Sequence, residues 1–102
     1  MSNVVVTYTV KPEHVAENER LVRAVYASLA EIGDPGISYA NFKLEDGKTF
    51  VHIVLIESPA KQEILSNSPA FAAFQENLGV RCEVPSNLEP LSLVGSVNFS
   101  GT

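Results

Sequence analysis

His52, Asn41 and Tyr39 are the residues of this chain whose types and spacing best suit chemistry. An imidazole exchanges its proton near neutral pH, so His52 in an apolar setting is a candidate general base. Asp46-Gly47 stands between two β-rich runs and predicts a hairpin with a two-residue turn. That turn sets Glu45 opposite Lys48, Phe42 opposite Val51, Asn41 opposite His52 and Tyr39 opposite Val54. The amide of Asn41 and the phenol of Tyr39 then share a face with the imidazole, where they could hold the oxyanion left once a proton departs. The same trio has a purely structural use, in which the three polar heads satisfy one another across an interface.

Other reactive types are sparse. Cys82 lies beside Arg81, which could lower a thiol pKa, but no His is near in sequence and a lone Cys usually packs as a small hydrophobe. His14 and His52 are not at a metal-ligand spacing, and no Cys or carboxylate cluster completes a set, so no metal is expected. The chain shows no nucleophile elbow, phosphate loop or dinucleotide fingerprint.

The elements that must position the trio follow from periodicity. Over residues 3–10, Val4, Val6, Tyr8 and Val10 fall on one face of a strand and Val5, Thr7 and Thr9 on the other. Over residues 13–32, Val15, Asn18, Val22, Val25, Leu29 and Ile32 recur at three and four, the stripe of an amphipathic helix that Gly33-Asp34-Pro35-Gly36 stops. Tyr26, beside that stripe, reads as an interface or rim residue. The hairpin strands, 37–44 and 49–57, divide into two faces. Ala40, Phe42, Leu44, Val51, Ile53 and Leu55 are small or purely apolar and are expected under helices, while Ile37, Tyr39, Asn41, Phe50, His52, Val54 and Ile56 are expected on the side the helices leave bare.

Residues 61–66 suit a short turn of helix. Ser68-Pro69 reads as cap and first position of a second long helix, buried through Phe71, Phe74 and Leu78 and ended by Gly79. Residues 81–87, with Pro85, read as a loop, and 88–99 as the last strand with a bulge at Gly95. The order strand, helix, strand, strand, helix, strand in 102 residues predicts one α+β domain, residues 1–102, with a four-stranded antiparallel sheet.

Composition narrows the partners. Seven basic against twelve acidic residues leave a net charge of −5 with no basic cluster, which disfavours nucleic acid and anionic membrane surfaces. No apolar run approaches the roughly 18 residues of a membrane span, and a basic secretory start is lacking, so a soluble cytoplasmic protein is expected. A single cysteine excludes an internal disulfide.

The run Val10-Lys11-Pro12-Glu13, the hairpin with its strand over 50–57, and Ser68-Pro69-Ala70-Phe71-Ala72-Ala73-Phe74 together resemble the antibiotic-biosynthesis monooxygenase family. The resemblance covers nearly the whole chain. It implies a ferredoxin-like fold that pairs into a dimeric α/β barrel, with a pocket in each subunit, no cofactor, and oxygenation of a phenolic compound as one of several activities. By the same resemblance Val5, Thr7 and Thr9 line the pocket, and Val4, Val6 and Tyr8 lie under the helices. The haem-degrading set is missing: there is no Trp, Val5 stands at the approximate place of a first-strand Asn, and Gln75 at that of a helical His.

These readings give a homodimer that binds a small apolar or aromatic molecule, with His52, Asn41 and Tyr39 catalytic and Val5, Thr7, Thr9, Phe50, Val54 and Ile56 contacting the ligand. In the oxygenase reading His52 removes a proton and Asn41 and Tyr39 hold the oxyanion. A non-catalytic binding or structural dimer and a proton-transfer isomerase are the rivals. A bare face carrying Ile37, Phe50, Val54, Ile56 and Val94 exceeds the apolar patch a monomer usually tolerates, so Val54→Asp is expected to give monomers or aggregates.

Overall fold

Alternating apolar residues and two capped helical stretches produce the expected order in the computed structural model, which describes residues 2–97. The first strand, β1, is Ser2–Val10. A short 3-10 turn, Pro12–His14, leads into α1, Val15–Ile32, which closes on Gly33 at φ +66°, the left-handed stop that glycine adopts without steric cost. The hairpin strands are β2, Ile37–Lys43, and β3, Thr49–Ile56. Three short helices follow: α2, Pro59–Ser66; α3, Pro69–Gln75; and α4, Leu78–Arg81. The chain then returns through β4, Cys82–Pro90.

The strands form one antiparallel sheet in the order β2-β3-β1-β4, the ferredoxin-like arrangement. In the hairpin, Phe42 pairs with Val51, Asn41 with His52 and Tyr39 with Val54, the register expected. The connection differs: Leu44 N–H donates to Thr49 O, and residues 45–48 form a four-residue loop in which Gly47, at φ +76°, donates to Leu44 O. The Asp46 carboxylate accepts from the backbone N–H of Lys48 and Thr49 and from the Thr49 hydroxyl, a turn chemistry that two extra residues permit. Adding one residue on each side leaves the pairing unchanged.

The two sheet faces are the reverse of the expectation for the hairpin. Phe50, His52, Val54 and Ile56 are the residues of β3 that turn to the helices and are buried, with Tyr8 and Val10 of β1 beside them. Pairing of Tyr8 with Phe50 and of Val6 with His52 aligns the even-numbered residues of β1 and β3 on this side. Val4, Val6 and Tyr8 therefore lie under the helices as expected, and Phe50, His52, Val54 and Ile56 join them. The other side carries Val5, Thr7, Thr9, Ala40, Val51, Ile53 and Leu55, half-buried and without helices, and Phe42, which is 53% exposed. Tyr8, His52 and Tyr39 incur little penalty on the buried side because they bond one another, as described below. Val54→Asp is accordingly expected to unfold the chain, since Val54 belongs to the core cluster of Ile56 and Leu65.

The last strand also departs from expectation. It begins at Cys82, and residues 91–96 lie beyond it without regular structure. Pro85 marked this stretch as a loop, but β4 is an edge strand, where a missing N–H need not break a ladder. The register shifts of the β1 and β4 pairing fall between Thr7 and Thr9 and between Thr9 and Val10, not at Gly95. Residues 98 and 99 of the predicted strand lie outside the described residues. Among the helices, Ser58 and Ser68 cap α2 and α3 through their hydroxyls, the second as expected, while Asn77 at φ +62° ends the long-helix expectation by splitting it into α3 and α4. No described helix is long and apolar enough to cross a membrane.

Candidate functional site

His52 occupies the centre of the sheet's helix-covered side, on the strand flanked by both β1 and β2. Tyr8 of β1 and Tyr39 of β2 stand on its two flanks, each one step diagonal to the residue paired with it. The Tyr8 hydroxyl lies 2.7 Å from His52 Nε2 and the Tyr39 hydroxyl 2.7 Å from His52 Nδ1. The row continues away from the cavity. Asn18 Nδ2 donates to the Tyr8 oxygen at 3.0 Å, and Arg81 Nε donates to Asn18 Oδ1 at 3.3 Å.

Each member is held by its element. Asn18 takes a core position in the α1 stripe and is fully buried, while Arg81 at the end of α4 is 3% exposed. Arg81 donates to the carbonyls of Glu76 and Phe74 at 2.9 and 2.6 Å, and its guanidinium lies 5.7 Å from the centre of the Phe74 ring. Phe74 in turn packs on His52, ring centres 5.4 Å apart, and Phe50 stacks on Tyr8 at 5.6 Å.

Burial sets the protonation. His52 is 2% exposed, and desolvation pulls its pKa down to about 4, so the ring is neutral at neutral pH. Desolvation pushes the Tyr8 and Tyr39 hydroxyls well above the usual phenol range, so both remain protonated donors. Burial likewise raises the Cys82 thiol despite neighbouring Arg81, which agrees with a packing role.

Beside this row lies a cavity of about 570 Å³ between sheet and helices. Val4, Val6, Val54 and Ile56 form its sheet wall, and Leu65 and Phe71 face them from the helices. Tyr8, His52 and Tyr39 form a polar end, and the exposed Gln62, Gln75 and Ser86 stand at the rim. Among the described residues there is no group of three or more His, Cys, Asp or Glu that could hold a metal ion.

Of the residues singled out in the sequence, His52, Tyr39, Val54 and Ile56 meet at this cavity. Asn41 pairs with His52 but does not line the space, and its Nδ2 is buried without a partner among the described residues. Phe50 lies behind Tyr8 in the core. Val5, Thr7 and Thr9 point to the opposite side of the sheet, because their pairing with Ile53, Val51 and Thr49 sets them on the odd-numbered face. Both ring nitrogens of His52 are engaged by tyrosines, so in this arrangement neither is free to take a proton from a ligand. Tyr8, Asn18 and Arg81 were not anticipated as site residues. The available signals were an Asn inside an apolar helical stripe and a Tyr alternating with valines on one strand face.

No family model and no curated protein matches the sequence. Solved structures do match in three dimensions. A crystal structure of an antibiotic biosynthesis monooxygenase superposes with a TM-score of 0.73 at 16% identity, covering 93% of this chain and 100% of that one. Rv0793 from Mycobacterium tuberculosis superposes at 0.75 and 16% identity, covering 95% and 98%. SnoaB, a cofactor-independent oxygenase from Streptomyces nogalater, superposes at 0.70 and 17% identity, covering 96% and 97%. Across nearly its full length this chain has the α+β, ferredoxin-like fold of solved antibiotic biosynthesis monooxygenase structures.

Proposed function

We propose that this chain binds a small apolar or aromatic molecule between its sheet and its helices, and that Tyr39 holds an oxygen of that molecule. One observation carries the proposal: an apolar cavity of about 570 Å³ ends at a buried, mutually bonded row of Tyr8, His52 and Tyr39. Concave, mostly apolar spaces with a few convergent polar groups are the usual small-molecule sites. The shared fold with SnoaB supports cofactor-independent oxygenation, in which an electron-rich phenol that has given its proton to solvent reduces dioxygen itself, one oxygen atom bonding to the ring carbon to give the quinone and the other leaving as water. Apolar walls would limit water, and the Tyr39 hydroxyl would stabilise the anion. His52 would act by holding Tyr39 in place.

Oxygen uptake with a panel of electron-rich phenols tests this. Wild-type protein is expected to consume oxygen, and Tyr39→Phe to do so about 100-fold more slowly, the usual effect of losing one oxyanion donor. Equal rates would remove Tyr39 from the chemistry. Turnover without oxygen would mark a proton-transfer isomerase, and binding without turnover a ligand-binding module.

The bare sheet face is proposed as the seat of a second copy of the chain. Val5, Val51, Ile53, Leu55 and Phe42 form an apolar surface with no helix over it among the described residues. Burying several such side chains, at roughly 1.5 to 3 kcal/mol each before association entropy, can hold a homodimer. Ile53→Asp, at the centre of that face, is expected to yield folded monomers by analytical ultracentrifugation. A monomeric wild type, or an undisturbed dimer in the variant, would refute the pairing.

A further inference from the structure

Arg81 has only donors, so the Asn18 atom it meets must be the oxygen. The Asn18 NH2 is thereby aimed at Tyr8, whose oxygen accepts from it. Tyr8 is 1% exposed, and its own proton has a single acceptor within reach among the described residues, His52 Nε2. A ring nitrogen that accepts carries no proton, so the one proton of the neutral ring sits on Nδ1 and is donated to the Tyr39 oxygen. The Tyr39 hydroxyl then has no acceptor left for its own proton among the described residues, and Tyr39 lines the cavity.

We infer that Arg81 and Asn18 orient a one-way row of hydrogen bonds through Tyr8 and His52, leaving Tyr39 as an outgoing donor that selects ligands with an acceptor oxygen, such as an aryl ketone or quinone. This rests on the proposed cavity as the ligand site and adds its direction. Arg81 and Asn18 are positioning residues here, since neither touches the cavity. The reverse arrangement would place two donors, Asn18 Nδ2 and His52 Nε2, on the Tyr8 oxygen and strand the Tyr8 proton in the core, a penalty of the kind buried groups avoid.

Asn18→Asp is the direct test. Paired with Arg81, the new carboxylate accepts from Tyr8, which turns the Tyr8 proton away from His52; the ring must then protonate Nε2 and accept from Tyr39. Long-range 1H-15N spectra of the imidazole are expected to show Nδ1–H in wild type and Nε2–H in Asn18→Asp. Binding of 1-tetralone, an aryl ketone, is expected to weaken roughly three- to tenfold in Asn18→Asp and in Tyr39→Phe, the range of one neutral hydrogen bond. Binding of tetralin, the same skeleton without oxygen, should be unchanged. An Nε2–H ring in wild type, or equal ketone affinity in Tyr39→Phe, would overturn the direction. Failure of both probes to bind would refute the cavity as a ligand site while the spectra still decide the direction. If Asn18→Asp does not fold, the wild-type spectrum and Tyr39→Phe decide it alone.

Discussion

Phe74→Ala is expected to lower folding stability by about 3 to 5 kcal/mol, the range for truncating a buried aromatic side chain. Phe74 is 4% exposed and stands where three parts of the molecule meet. Its ring packs against Tyr8 of β1 at 6.2 Å, His52 of β3 at 5.4 Å and Phe71 of α3 at 6.4 Å, with the Arg81 guanidinium over its face. The α3 helix has only seven residues and cannot sustain itself by propensity, so it depends on this contact. Loss of the ring leaves a hole beside the Tyr8 and His52 pair that short helices can only partly close. Urea denaturation at neutral pH measures the cost, and a loss below about 1 kcal/mol would show that Phe74 is not the keystone between helix and sheet.

Stability is expected to fall by up to about 3 kcal/mol as pH drops from roughly 6.5 to about 4, because of His52. The sign follows from where the proton binds first. In the unfolded chain the imidazole protonates near its ordinary value, whereas the buried ring resists down to about 4. Between those values acid favours the unfolded state, so the contribution is complete above the ordinary value and lost as pH falls toward the folded one. Glu19, Asp34 and Asp46 add a further loss of the same sign at lower pH. A hydrogen bond from Lys43 holds the Glu19 pKa down, one from Lys61 does so for Asp34, and hydrogen bonds from Thr49 lead for Asp46. Denaturation at pH 7 and pH 5 in wild type and His52→Phe separates the effects: the variant should lose the slope in that window whatever its absolute stability. An unchanged slope would mean that the ring already titrates normally in the fold.

Local signals explain what the sequence revealed. Gly33 ends α1, Ser68 caps α3, and the hairpin register is the one that Asp46-Gly47 implied, because each depends on a few neighbouring residues. Alternation likewise separated the two faces of β3 correctly. Which face meets the helices is not local: it depends on how β1 pairs with β3, and that pairing puts His52 and Tyr8 on the same buried side. Composition alone favours the purely apolar Val51 and Ile53 for the core, yet Tyr39 and His52 of the other face bond one another and Tyr8 and can be buried. The site was half legible for the same reason. His52 and Tyr39 stood out by type and spacing, while Asn18 meets Tyr8 across 10 residues and Arg81 meets Asn18 across 63, separations that no spacing rule links.

Methyl NMR during titration with 1-tetralone tests the central claim most directly, since valines alternate between the two faces of β1 and β3. Shifts at Val4, Val6, Val54, Ile56 and Leu65 are predicted, placing the ligand between sheet and helices at the Tyr39 end. Shifts at Val5, Val51 and Ile53 instead would put it on the bare face and contradict the assignment of the site.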